Sequence, residues 1–172
     1  MSRSFHALRE GSGEGLLKLA KEHFPPVYRY VADYCYREKM YEDSAYFYYL
    51  YWRRPTNFCC CMRTFEYEDT LREIEIPAAK RFCESLVNAG RYEEVYEFIL
   101  YFCGLFRARY LLRKEMVAMR NEIEQQVLAK GEKFSERSEA MVRKLTLEYG
   151  YFVIPDFEQR YRTELAKICA DE

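Results

Sequence analysis

Two stretches of the chain carry the same apolar spacing, and that spacing admits little besides a helix. Val27, Tyr30, Val31, Tyr34 and Cys35 fall at i, i+3, i+4, i+7 and i+8, and Ala79, Phe82, Cys83, Leu86 and Val87 repeat the pattern. At 3.6 residues per turn these positions line one face, so each stretch reads as a helix with one side to bury. A polar break and a second apolar run follow each. Arg37-Glu38-Lys39 precedes Ala45, Tyr48, Tyr49 and Trp52, and this run stops at Pro55. Asn88-Ala89-Gly90 precedes Val95, Phe98, Ile99, Phe102 and Cys103, with the glycine placed as a helix stop. Both units are helical hairpins, expected to close around Ala32, Phe82, Cys83, Phe98 and Phe102. The turn segments 39–44 and 90–95 take the same place in each, with Tyr41 and Tyr92 standing 51 residues apart.

The rest of the chain supports an all-α fold of about seven helices in series. Residues 1–15, with Gly11, Gly13 and Gly15, read as a flexible arm. Residues 16–172 read as a single domain with an insertion at 56–77. Leu16–Phe24 suggests a short helix stopped by Pro25-Pro26. The insertion suggests an irregular segment with a helical turn, although the alternation over Leu71–Ile76 also fits a brief strand. Leu105–Lys130 holds no Gly or Pro and carries a stripe of Leu112, Met116, Met119 and Ile123. Phe134, Met141, Val142, Leu145 and Tyr149 form another stripe. Phe157, Tyr161, Leu165, Ile168 and Cys169 form the last, starting at Pro155 with Asp156 as its cap. Gly and Pro number only 7 and 5 of 172 residues, too few for a turn-rich β fold.

Charge and cysteine usage narrow the function. The net charge is -1, which argues against a generally basic nucleic-acid coat. The longest uncharged runs, such as Ser44–Trp52, reach nine residues, whereas a membrane span needs about 20. The N-terminus is charged at Arg3, Arg9 and Glu10 and carries no apolar leader. Seven cysteines without a leader predict free thiols and an intracellular setting, cytoplasmic or nuclear. Cys59-Cys60-Cys61 lacks the paired spacing of a zinc site, so no metal is expected. The histidines are His6 and His23, and no phosphate-binding, dinucleotide or hydrolase motif is present. Neither an enzyme, a cofactor nor a small-molecule substrate is expected.

Two constellations remain. Twelve aromatic residues lie between Phe24 and Trp52. Tyr28, Tyr36, Tyr46 and Tyr51 fall off the apolar stripe, so these rings fill either a thick core or an interaction face. Arg outnumbers Lys 18 to 9. Arg109, Arg113 and Arg120 share one side of the long helix, facing either internal partners such as Glu115 and Glu122 or an acidic protein or RNA phosphate. Trp52-Arg53-Arg54 offers a ring beside two guanidinium groups, a combination that suits RNA. The candidate partner-binding residues are thus Tyr46, Tyr51, Trp52, Arg53, Arg54, Arg109, Arg113 and Arg120.

The two hairpins resemble tetratricopeptide repeats. Ala32, Tyr41 and Ser44 take the small, turn-aromatic and small places of the first repeat, and Cys83, Gly90, Tyr92 and Val95 those of the second. Lys39 stands where the first turn would carry glycine, Val95 replaces the usual alanine, and the insertion stretches the period. The likeness covers residues 27–103 and extends to the irregular helical repeats of proteasome-lid-type and anaphase-promoting-complex-type subunits. It implies stacked antiparallel hairpins, an α-solenoid-like array, whose inner face would include Arg29, Asp33, Lys80 and Glu84. It also implies a non-enzymatic interaction module, an adaptor or subunit of a multiprotein complex with a protein partner. The alternative is a small factor that docks on a ribonucleoprotein such as the ribosome through Arg and aromatic side chains.

Overall fold

The computed structural model describes residues 26–53, 69–104, 113–133 and 152–170. Helices α1 (Pro26–Arg37) and α2 (Tyr41–Trp52) form the first hairpin, and α3 (Ile76–Asn88) and α4 (Tyr92–Gly104) the second. Helices α5 (Arg113–Ala129) and α6 (Pro155–Ala170) follow. Among the described residues these six α-helices stand without any strand, so the described fold is all-α. The expected arm at 1–15, the helix at 16–24, residues 105–112 of the long helix and the helix at 134–149 lie outside the described residues.

Two boundaries differ from expectation. The insertion was expected to run to residue 77 as an irregular segment holding a helical turn, with a brief strand as the other reading of Leu71–Ile76; the turn is there, but it is not set apart from the next helix. Instead Leu71–Glu75 is a π-helical turn that runs straight into α3, with the Ile76 N–H donating to the Leu71 carbonyl. Pro77 cannot donate to the turn before it, and the backbone widens just ahead of that gap. At the last helix, the Glu158 N–H donates to the Ile154 carbonyl at 2.9 Å. Ile154 therefore takes the cap position expected for Asp156, and Pro155 opens the first turn, where its missing N–H leaves nothing unsatisfied.

The hairpin turns are copies of one another. In the first, Lys39 N–H donates to Tyr36 O at 3.1 Å and Met40 N–H to Cys35 O at 2.8 Å. In the second, Gly90 donates to Val87 at 3.1 Å and Arg91 to Leu86 at 2.8 Å, so every partner moves by 51 residues. This Schellman pattern needs a left-handed residue past the helix end. Gly90 takes it at φ 75° and Lys39 at φ 60°. The same turn closes α5, where Gly131 at φ 77° donates to Leu128 and Glu132 to Val127.

The core lies between the hairpins. Ala32, Phe82, Cys83, Phe98 and Phe102 are all buried. Phe98 sits at its centre, with ring centroids 4.6 Å from Phe82, 5.3 Å from Trp52 and 5.4 Å from Phe152. Phe152 arrives from the extended segment 152–154 that leads into α6, so the chain returns to the core before its last helix. Cys35 and Cys83 are buried and in no disulfide. Burial and the nearby Asp43 push the Cys35 thiol up to about 12, leaving it as a small apolar filler.

The apolar stripe of α1 is rotated slightly from its expected place. Val31, Ala32 and Cys35 are buried and Tyr28 is half-buried, whereas Tyr30 is 46% exposed. Tyrosine tolerates either setting, so it misplaces the edge of a stripe. Past its first turn, where Glu42 is exposed, helix α2 shows no outer face, because Ser44 through Trp52 are buried in succession. A helix apolar all round needs neighbours on every side. Among the described residues α1 and α3 cover part of it, and Tyr46 and Tyr49 meet side chains of α6.

Candidate interaction surface

The structure divides the candidate residues sharply. Tyr46, Tyr51 and Trp52 are at most 3% exposed. Their rings are buried with α6 in place, which is the first of the two readings of the aromatic stretch. Arg53 turns inward as well. Its Nε and Nη2 donate to the two carboxylate oxygens of Glu158 at 2.7 and 2.9 Å, and its guanidinium lies 4.3 Å over the Tyr161 ring. Arg120 is exposed on α5, and no carboxylate among the described residues pairs with it. Arg54 and Arg109 lie outside the described residues, as does the Arg113 side chain, although Arg113 itself begins α5.

A surface that follows from the repeat resemblance is more ordered. From α1 to α3, Arg81 donates to Asp33 at 2.8 Å and Tyr36 to Glu84 at 2.7 Å, both 48 residues apart in sequence. From α3 to α5, Lys80 donates to Glu122 at 2.7 Å and Gln126 to Glu84 at 3.1 Å, both 42 residues apart. A constant separation means the partners advance together along both helices. Helices α1, α3 and α5 therefore run parallel and in register, with α3 in the middle. Of the four inner-face candidates, Asp33, Lys80 and Glu84 come together here. Arg29 lies a turn below, its guanidinium 5.0 Å over Tyr30 and 5.9 Å over Tyr51.

The electrostatics of this row favour positioning over stability. Its pairs are partly exposed, and exposed ion pairs contribute about 0–1 kcal/mol each. Burial, then the hydrogen bond to Glu84, pushes the Tyr36 hydroxyl up to about 12, so it stays a donor at physiological pH. Asp33 also accepts from Tyr48, which ties the row to the core below it. Each carboxylate of the row thus has an internal donor. The outward stripe of α1 continues the surface with Tyr30 and Arg37 at three before and four after Asp33. Both are exposed, and Arg37 has no carboxylate partner among the described residues.

A second polar constellation joins α2 to α6. The Tyr49 hydroxyl donates to Glu158 at 2.6 Å and the Tyr46 hydroxyl to Glu164 at 2.7 Å. Arg160 lies 3.9 Å over the Tyr46 ring and 3.3 Å from Asp43. Arg91, at the second turn, donates to Glu42, Glu94 and Asp156 and stacks 4.4 Å over Phe157. Burial opposes the Glu158 charge, but the bonds from Arg53, Tyr49 and Arg162 and the charge of Arg53 outweigh it, holding the carboxyl at about 2. Sequence reasoning missed this seam. A signal was present in Asp156-Phe157-Glu158 and Arg160-Tyr161, where charged groups and rings alternate along one helix.

Among the described residues no three His, Cys, Asp or Glu side chains are placed to share a metal ion. The Cys59-Cys60-Cys61 run lies outside them. No helix among them is long and apolar enough to cross a membrane. Comparison with known proteins finds no match for the chain among family models, curated proteins or solved structures.

Proposed function

We propose that the chain is a non-enzymatic, tetratricopeptide-like interaction module, an intracellular adaptor or subunit of a multiprotein complex. The observation that carries this reading is the row of parallel helices α1, α3 and α5, held in register by the bonds at 48 and 42 residues. Three such helices present a continuous polar surface on a rigid base, which is how stacked repeats display a binding face. The mixed charge of the row, and its internally partnered carboxylates, fit a protein better than a polyanion.

The ribonucleoprotein alternative retains the exposed Arg120 but loses Tyr46, Tyr51 and Trp52 to the core and Arg53 to Glu158. Recovery of the full chain from its own cells, with and without nuclease, separates the two. Companion proteins that stay bound after nuclease treatment support the module. Companions released by nuclease support the alternative.

A further inference from the structure

Helix α6 sits on α2 unlike the other helices of the fold. Of its described side chains only Phe157 and Glu158 are buried, and from Tyr161 onward each is half-buried or exposed. Where the hairpins lock rings and aliphatic groups together, α6 is held by tyrosine hydroxyls, carboxylates and guanidinium groups. Among the described residues its deep apolar anchors are Phe157 and the preceding segment 152–154.

The face beneath it has the composition of an interface. Asp43, Tyr46, Tyr49 and Arg53 recur along α2 at three- and four-residue steps, so they line one side. Tyrosine and arginine are the side chains enriched where proteins recognise one another, because each joins a large flat body to a directional polar end. The Arg160 pairs to Asp43 and Glu164 are partly exposed, and water replaces bonds of that kind at little cost, so the outer part of α6 opens more readily than an element held by packing.

We propose that this α2 face is a helix-docking site that α6 occupies in cis. A partner helix displaces α6 when it presents the same acidic and aromatic groups at the same spacing. The structure defines that ligand: an aromatic ring in the place of Phe157, a carboxylate next to it to take Arg53 and Tyr49, and a second carboxylate six residues on to take Tyr46. Charge complementarity fixes the ligand, since Arg53 and the two hydroxyls donate to its carboxylates and Asp43 accepts from a guanidinium in the place of Arg160. This face is distinct from the α1–α3–α5 row, and its occupancy is tested without touching that row.

The test uses the full chain and a fluorescent synthetic peptide spanning residues 152–170. Glu158→Gln in the protein loosens the cis helix and leaves the α2 face intact. Peptide binding should then tighten by about tenfold over the unaltered protein, since a face that is open more of the time captures proportionally more ligand. A peptide that itself carries Glu158→Gln should bind that protein about tenfold more weakly, having lost its charge-assisted bonds. Glu164→Gln in the protein, farther out on α6, should act in the same direction and serves if Glu158→Gln prevents folding. A folded variant that takes up no peptide overturns the proposal. Hydrogen exchange on the unaltered chain is the second measurement. The amides of α6 should exchange well ahead of those in α2 and α3, and equal protection in all three helices would overturn it as well.

Discussion

Ser44 and Ser85 meet with their hydroxyl oxygens 2.9 Å apart, both fully buried, where the first hairpin lies against the second. Ser44 also reaches the Ala32 carbonyl at 3.0 Å and Ser85 the Arg81 carbonyl at 2.8 Å. Two hydroxyls carry two protons, so only two of these three contacts are hydrogen bonds at any moment. The small side chains let α1, α2 and α3 approach closely, and the shared protons satisfy the polar atoms that this approach buries.

Ser44→Ala should therefore lower stability by about 0.5–1.5 kcal/mol, and Ser85→Ala by a similar amount. Because the two share a contact, the double variant should lose measurably less than the sum. Urea denaturation of the four proteins checks this, and strict additivity would show that the hydroxyls do not couple.

The hairpin turns give a prediction with opposite signs at equivalent places. Lys39 holds φ 60°, a conformation that costs a side-chain-bearing residue roughly 1 kcal/mol, and glycine adopts it freely. Lys39→Gly should raise stability by about 0.5 kcal/mol once the extra freedom of the unfolded chain is subtracted. Gly90→Ala should lower it by about 1 kcal/mol through backbone strain alone, since a Cβ there would meet nothing within 4 Å. Thermal melts that move in the same direction for both would contradict the equivalence of the turns.

The hairpins were legible because their signal is local. A period of 3.6 residues with a stop sets a helix, and two such helices with a short turn between them have one way to pack. The phase of α1 was less legible, since Tyr30 and Tyr28 carry both apolar and polar character and sequence alone does not say which is buried. The candidate site was harder still. Tyr46 and Tyr51 fall off the apolar stripe, so sequence alone left a thick core and an interaction face both open for them, and the structure buries both together with Trp52. The pairs Tyr36–Glu84 and Tyr49–Glu158 join residues 48 and 109 apart, and no local pattern encodes such distances. Asp33, Lys80 and Glu84 were found only because the repeat resemblance assigned an inner face.

Acid should act on the α2–α6 seam. The Glu158 carboxyl is held at about 2 against an ordinary value of 4.5. A carboxyl that is more acidic in the folded chain adds stability above its ordinary range, and that contribution is lost as the pH falls towards the folded value. Stability should thus decline between about pH 4.5 and 2, and Glu158→Gln should flatten the decline in that window. Denaturation midpoints measured across the window decide it; a variant with an unchanged slope would show that other carboxyls dominate there.

The most direct test of the interaction module is to alter its face without altering its fold. Tyr30→Ala together with Arg37→Glu changes two exposed side chains beside Asp33 and removes no ion pair among the described residues. Exposed changes of this kind shift stability by less than about 0.5 kcal/mol. The measurement is the fraction of nuclease-resistant companion protein retained by this variant relative to the unaltered chain, at matched expression and melting temperature. The account predicts that most of the companion is lost while the melting temperature stays put. Full retention of the companion by the variant would place the partner elsewhere and contradict the α1–α3–α5 face as the binding surface.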